Sequence, residues 1–215
     1  GSRGAFHGAP ITYSKVGYPI YSFFLVDTDG LFRSQAEIDA HTKNGTLIQP
    51  NAQVGDVRYV DYNGDGEING EDRQYKGSAF PKFEYGLRLQ GDWKGIDCAI
   101  ALQGVEGNKI YNGNNQDIAT VRSNINYSAA TLDSYTFNPN SNFPRLDIDD
   151  KNNNGADYSD RFLEDGSYLR IKTVQVGYTF PNSITSQISI DKCRIYFAGD
   201  NLYTFTNYTG YNPDV

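Results

Sequence analysis

Four stretches of the chain alternate apolar and polar residues with a period of two, the signature of strands with unlike faces. In residues 83–90 the odd positions Phe83, Tyr85, Leu87 and Leu89 are apolar, and the even ones are Glu84, Gly86, Arg88 and Gln90. Trp93 keeps that parity and closes the strand. After Lys94-Gly95 the alternation restarts, with Ile96, Cys98, Ile100 and Leu102 on one face and Asp97, Ala99, Ala101 and Gln103 on the other. Two strands joined by so short a link predict a hairpin. A third strand is expected over 168–180, where Val174, Val176, Tyr178 and Phe180 form an apolar face whose early end holds Arg170 and Lys172. A fourth, over 193–204, sets Ile195 and Phe197 opposite Arg194 and Asp200. Nearer the start, 20–26 reads as an apolar strand stopped by Asp27-Thr28-Asp29-Gly30. Residues 34–41 read as a short helix, with Ser34 as N-cap, Glu37 in the capping-box position and Gly45 beyond the end.

The connections are as uneven as the strands are regular. Residues 104–160 are polar and rich in Asn, too long for an ordinary link in a compact soluble domain. Long polar loops on one side are what outer-membrane barrels carry. Aromatics gather near strand ends (Tyr85, Trp93, Tyr168, Tyr178, Phe180), as interfacial girdles do. Period two alone leaves two readings open. A barrel wall would show Phe83, Tyr85, Leu87 and Leu89 to lipid, whereas a soluble, calcium-stabilised β-sandwich that binds carbohydrate would bury them against a second sheet.

Composition narrows the class. Among 215 residues there are 17 Tyr, 12 Phe and 22 Gly, which favour strands and tight turns over helices. A mean hydropathy of -0.59 with no long apolar run excludes a spanning helix, which needs about 20 apolar residues, but leaves a barrel open. The net charge of -7 repels nucleic-acid backbones, so no nucleic-acid partner is expected. Cys98 and Cys193 match no metal spacing and are expected to be unpaired thiols. Catalysis finds little support: His7 and His41 lie near no nucleophile, no acidic pair stands out, and Gly104-Val105-Glu106-Gly107 does not lead from a strand into a helix as a phosphate loop must.

One motif carries chemistry. Residues 61–72, within a calcium-type segment spanning 56–78, match an EF-hand loop. Asp61, Asn63 and Asp65 fall at ligand positions 1, 3 and 5, with Gly66 at the sharp turn. Glu67 would donate its backbone carbonyl, Ile68 would pin the loop to the core, Asn69 would bind through water and Asp72 would close the site. Alternating oxygens on a turning backbone can wrap one Ca²⁺ ion, here in a structural role. The competing reading is a metal-free loop held by Asx hydrogen bonds. Gly77 and Pro81 rule out the exiting helix of a true EF-hand. A second start, Asp150-Lys151-Asn152-Asn153-Asn154-Gly155, fails because Arg161 stands at position 12.

At this point several segments, taken in order, resemble a known family. Residues 55–85 are similar to the "GD-R-Y-D-NGDG-I---D---G---PKF-YG" stretch of SusC/RagA-family TonB-linked outer-membrane proteins. Leu102-Gln103-Gly104-Val105 with Asn108, Ile110, Tyr111 and Asn112 resembles that family's "LQGV-GN-IYN" segment. The run Arg161-Phe162-Leu163-Glu164-Asp165-Gly166-Ser167-Tyr168-Leu169-Arg170-Ile171-Lys172 is similar to its "RFLEDGSYLRIK" signature. The matches cover residues 16–215. The resemblance implies an all-β fold: antiparallel up-and-down strands forming part of a large TonB-dependent outer-membrane β-barrel of about 22 strands with long extracellular loops. On this reading residues 1–215 form a single partial domain of the barrel, without the plug, the TonB-contacting segment or the closing strand. It further implies import of glycans or peptides, a SusD-like surface lipoprotein as lid, energy from the TonB system, lipid around the wall and no enzymatic activity. Polar residues Glu84, Arg88 and Gln90 would then face the lumen, with no substrate-binding residue assigned.

Overall fold

The computed structural model describes residues 2–6, 9–121 and 126–214, with side chains from residue 10 onward. His7 lies outside the described residues. In chain order the strands are β1 (Ser2–Phe6), β2 (Ala9–Tyr13), β3 (Ser22–Val26), β4 (Thr28–Leu31), β5 (Thr42–Lys43), β6 (Thr46–Leu47), β7 (Val57–Tyr59) and β8 (Arg73–Ser78). They continue with β9 (Phe83–Trp93), β10 (Ile96–Glu106), β11 (Lys109–Tyr111), β12 (Leu163–Asp165), β13 (Tyr168–Thr179) and β14 (Arg194–Thr206). Short helices α1 (Gln35–Ala40), α2 (Gly113–Ala119) and α3 (Asn182–Thr185) interrupt them. The chain divides into two compact units: Gly1–Phe80 with Lys109–Glu164, and Pro81–Asn108 with Asp165–Val215.

The second of these is one antiparallel sheet in the order β14-β13-β10-β9. Its hairpin turns at Lys94 and Gly95, whose φ values of 50° and 86° are those of a type I′ turn. Cross-strand registers align the apolar positions into rows. Trp93, Ile96, Tyr178 and Ile195 form one row, Leu89, Ile100 and Val174 a middle one, and Tyr85, Leu169 and Phe205 another near the far end. None of this face is packed away: Leu89 is 57% exposed, Trp93 69% and Phe197 79%. Such exposure is what a barrel wall facing lipid would show, and it differs from a sandwich, which buries these side chains against a second sheet.

Two irregularities correct the simple alternation. Opposite β10, Thr173 pairs with Ala101 but Ile171 with Leu102, so Lys172 bulges out of the ladder. Ile171 and Leu169 therefore join the apolar face. Arg170 sits opposite Gln103 on the polar face, and Lys172 Nζ donates to Gln103 Oε1 at 2.7 Å. Neither occupies the apolar face where period two placed them. Likewise Tyr168 is not part of an outer girdle: it is buried, opposite Val105 and Thr206, with the Arg170 guanidinium 5.0 Å from its ring. A second bulge at Asn201, φ 52°, returns Tyr203 and Phe205 to the apolar face. The belt at that end is thus Phe83, Tyr85, Tyr203 and Phe205, and Trp93, Tyr178 and Phe180 mark the other.

The other unit holds a small sheet in the order β1-β2-β3-β8 and three two-stranded pairs, β4–β7, β5–β6 and β11–β12. At five residues, β3 is too short to span a bilayer, which takes about 9–11. One core gathers Val26, Leu31, Val57, Tyr59 and Ala156, and a second gathers Ile11, Phe23 and Leu25. Ser34 caps α1 as expected, accepting from Glu37 N at 3.3 Å, but the Glu37 carboxylate reaches Arg33 N rather than the cap residue. The long polar stretch starts only after Glu106, because β10 continues that far, and its described residues from Lys109 onward include β11 and α2 of this unit.

Candidate functional site

A barrel works through the face opposite its lipid wall. In the four-stranded sheet that face is polar and cross-linked by its own side chains. Arg194 Nη2 donates to Asp97 Oδ1 at 2.5 Å, and its Nε to Oδ2 at 2.9 Å. Arg170 donates to Thr204 Oγ1 at 3.0 Å, Asn212 Oδ1 at 2.7 Å and Asp214 Oδ2 at 2.8 Å. Thr173 donates to Asp200 at 2.8 Å. Glu84, Arg88 and Gln90 share this face, opposite Val105, Ala101 and Ala99, and all three are exposed, as pore lining would be. Period two located those three residues. It missed Arg170, whose placement depends on the bulge.

Along β9, Phe83 and Trp93 are ten residues apart, about 34 Å of strand at the usual rise. At a tilt of about 40° this is about 26 Å along a membrane normal, the height of the apolar band in outer-membrane barrels. Strand length, aromatic spacing and face polarity agree on one environment.

The calcium-type loop closes on itself through its carboxylates. Asp61 Oδ1 accepts from Gly64 N at 2.7 Å and Asp65 N at 3.2 Å, and its Oδ2 from Gly66 N at 2.8 Å. Gly66 has φ 95°, which the sharp turn requires and only glycine adopts freely. Asp65 Oδ2 accepts from the amides of Asn63 at 2.9 Å and Asn69 at 3.1 Å, and Oδ1 from Glu67 N at 2.9 Å. These hydrogen bonds, the Asn63 amide foremost, hold the Asp65 carboxyl below its ordinary pKa. Asp72 is fully buried; it accepts from Tyr62 N at 2.9 Å and Asn69 N at 2.8 Å, the latter as half of a capping box. Ile68 packs against the first core, pinning the loop as its position suggested. Asn63, Asp65 and Asn69 therefore meet at one oxygen, while Asp61 and Asp72 each face backbone N–H groups. Among the described residues no three acidic, His or Cys side chains gather as a ready metal cage. The donor set is all oxygen, which is the chemistry Ca²⁺ takes.

In the second, failed loop Asp150, Asn152 and Asn154 are buried, while Lys151 and Asn153 are exposed. Asp150 accepts from Asn154 N at 2.6 Å and Gly155 N at 3.1 Å. Arg161, the residue that spoiled the metal pattern, lies largely enclosed, with its guanidinium 5.4 Å from the Phe143 ring and 5.2 Å from the Phe162 ring. It donates to the Asn154 carbonyl at 3.1 Å. Desolvation lowers its pKa to about 10, against the pull of Tyr59 and Asp150. Around it Asn154 donates to the fully buried Asp56 at 2.8 Å and accepts from Val57 N at 2.9 Å, and Arg145 Nε stands 2.6 Å from Asp56 Oδ1. These residues tie the loop to β7. The sequence offered no sign of Arg145 or Asp56, whose pairing spans 89 positions.

Cys98 lies exposed on the apolar face and Cys193 just before β14, both free. His41 packs 5.5 Å from the Phe32 ring, and burial, then Arg58, lowers its pKa.

No family model matches the chain. It is 30% identical to a TonB-dependent receptor of Formosa agariphila over 96% of its own length and 20% of that protein. It is 23% identical to the TonB-dependent receptor SusC of Bacteroides thetaiotaomicron, over all of this chain and 19% of that one. The chain thus spans about a fifth of the length of the curated relatives it matches. Among solved structures, the RagAB peptide transporter matches with a TM-score of 0.70 at 22% identity, covering 94% of this chain and 21% of that one. A second structure of it, the RagAB peptide importer in its open-open state, gives 0.71 at 21% identity. TonB-dependent receptors are outer-membrane proteins, and the exposed apolar wall fits that location. The chain belongs to the SusC/RagA family of TonB-dependent outer-membrane transporters and forms part of the β-barrel.

Proposed function

We propose that the protein containing this chain imports nutrients, glycans or oligopeptides, across the outer membrane, with a SusD-like surface lipoprotein as its lid and TonB as its energy source, and that it catalyses no reaction. The observation that carries this is the alignment of nearly the whole chain with a TonB-dependent receptor, in register with a wall that is apolar outside and polar inside. In this reading the two-residue β9–β10 turn is periplasmic and the calcium-type loop is extracellular, as short turns and long loops distribute in such barrels. The test is to delete the gene and supply single glycans or peptides as carbon source, while purifying the tagged full-length protein in detergent. Loss of growth on one substrate class and co-purification of a surface lipoprotein are expected. Unchanged growth on every substrate, or a protein that comes out alone, overturns the reading.

The loop of residues 61–72 is proposed as its calcium site, with Asp61, Asn63, Asp65, the Glu67 carbonyl, Asn69 and Asp72 as ligands. The ligand spacing and the Gly66 turn support it. When bound, the ion would stiffen an extracellular loop, and Asp65 would exchange its two amide partners for the metal. Calorimetric titration of the full-length protein with Ca²⁺ tests this; no binding at millimolar metal removes the claim and leaves the Asx-bonded loop.

A further inference from the structure

The small sheet β1-β2-β3-β8 sends Phe23 and Leu25 into the core, while Phe24 between them points away and pairs across the sheet with Tyr75. Phe24 there joins a cluster of rings. Tyr18 lies 5.2 Å from it, Tyr13 5.9 Å and Tyr75 5.9 Å, with Tyr18 and Tyr75 39–41% exposed. Beside these rings opens a groove of about 420 Å³, the size of an ordinary small-molecule site, lined by Tyr13, Lys15, Phe24, Glu71 and Arg73.

The charges in the groove are not spent. Lys15 is exposed, hangs 5.8–6.0 Å from the Tyr18 and Phe24 rings, and makes no ion pair among the described residues. Arg73 donates from Nη1 to the Pro10 carbonyl at 2.6 Å and to the Tyr13 hydroxyl at 2.5 Å, which fixes its fork; its Nε is buried away from solvent, so it serves the groove as a placed positive charge. A guanidinium fixed beside the groove and an exposed ammonium on its rim give it a positive lining that selects an anion. Open aromatic faces accept the C–H-bearing face of a sugar ring, because the ring quadrupole presents negative charge to it. Glu71 supplies an acceptor for hydroxyl groups.

We propose that this groove binds an acidic saccharide, its ring against the aromatic cluster and its anionic group between Lys15 and Arg73. The site lies outside the polar wall face and outside the calcium-type loop's ligands. Its place in import rests on the transporter reading above, but its binding does not. Two sources offer this chemistry: an acidic oligosaccharide as cargo, or the anionic sugars of lipopolysaccharide in the surrounding leaflet.

The experiment titrates the full-length protein in detergent, by calorimetry, with trigalacturonate, a neutral trisaccharide, hexaglutamate and purified lipopolysaccharide, for the native protein, Lys15→Glu and Lys15→Arg. Lys15 is solvent-exposed, so neither change threatens folding. Trigalacturonate binding that falls about tenfold or more in Lys15→Glu, and survives in Lys15→Arg, is expected for one lost charge-assisted contact. Lipopolysaccharide competing in the same Lys15-dependent way assigns the site to the membrane's sugars; its failure to compete assigns the site to cargo. No trigalacturonate binding, equal binding of the neutral sugar, equal affinity in Lys15→Glu, or equal binding of hexaglutamate overturns the proposal. Loss of uptake in the deletion strain without saccharide binding would sink this site alone, and saccharide binding with normal uptake would sink the importer reading alone.

Discussion

The wall assignment can be tested at two neighbouring residues that differ only in the face they occupy. Leu89 lies in the middle row of the apolar face, opposite Ile100, and Gln90 lies on the polar face, opposite Ala99. Leu89 is six residues from Phe83 and four from Trp93, or about 20 Å and 14 Å along the strand. At a tilt of about 40° it stands roughly 16 Å and 10 Å below the two aromatic belts, well inside the hydrocarbon. An arginine on the lipid face at that depth costs about 2–4 kcal/mol, roughly a 30- to 700-fold loss in the folding equilibrium. Gln90→Arg, facing an aqueous lumen, should stay within about 0.5 kcal/mol of the native protein. Trp93→Arg at the belt should cost less for its charge than Leu89→Arg, since the penalty falls to about 0–1 kcal/mol near the interface. The assay is refolding of the full-length transporter into lipid vesicles across a urea series, with the folded fraction read from heat-modifiable mobility on gels. If Leu89→Arg and Gln90→Arg prove equal, or if Trp93→Arg is the costlier belt position, the apolar face does not meet lipid and the placement of the wall is wrong.

Further outcomes follow from the loop unit and the hairpin. Arg145→Ala should destabilise the unit by about 3–5 kcal/mol, because it strands the fully buried Asp56 carboxylate; hydrogen exchange of residues 144–157 would show it, and unchanged protection would refute it. Burial alone would raise the Asp147 carboxyl, but the Arg145 guanidinium and nearby backbone N–H groups hold it below its ordinary value. Its stabilising contribution is therefore complete above the usual carboxylate range and fades as the pH falls below about 4 toward the folded value. Exchange protection in this segment should drop between pH 7 and pH 3 in the native protein and much less in Asp147→Asn. Gly95→Val should destabilise or slip the β9–β10 hairpin by about 1–3 kcal/mol, since a side chain there takes φ 86° and its Cβ would meet the Thr179 carbonyl at 2.7 Å; cysteine cross-linking of the Leu89–Ile100 pair reads the register, and full cross-linking would count against the strain.

How much of this was written in the sequence depends on the range of the forces involved. Strand positions, the turn at Lys94-Gly95 and the outward set Phe83, Leu87, Leu89 and Trp93 follow from alternation and turn chemistry, which act over a few residues. The cap at Ser34 and the Asx-bonded closure of residues 61–72 are equally local, each side chain answering a backbone N–H within a few positions. The ordered family segments, read along the chain, already point to the barrel.

Tertiary structure alone decided the rest. Whether the apolar face is covered or bare is a fact about what packs on it, and period two reads the same for a sandwich and a barrel. The bulge at Lys172 moves Arg170 and Tyr168 to the polar side because the register against β10 and β14, not the residue types, sets where the ladder breaks. Asp56, Arg145, Asn154 and Arg161 find one another across about a hundred residues, through the desolvation that makes an unpaired buried charge untenable. That penalty exists only once the chain has closed around them, which is why no local pattern announces it.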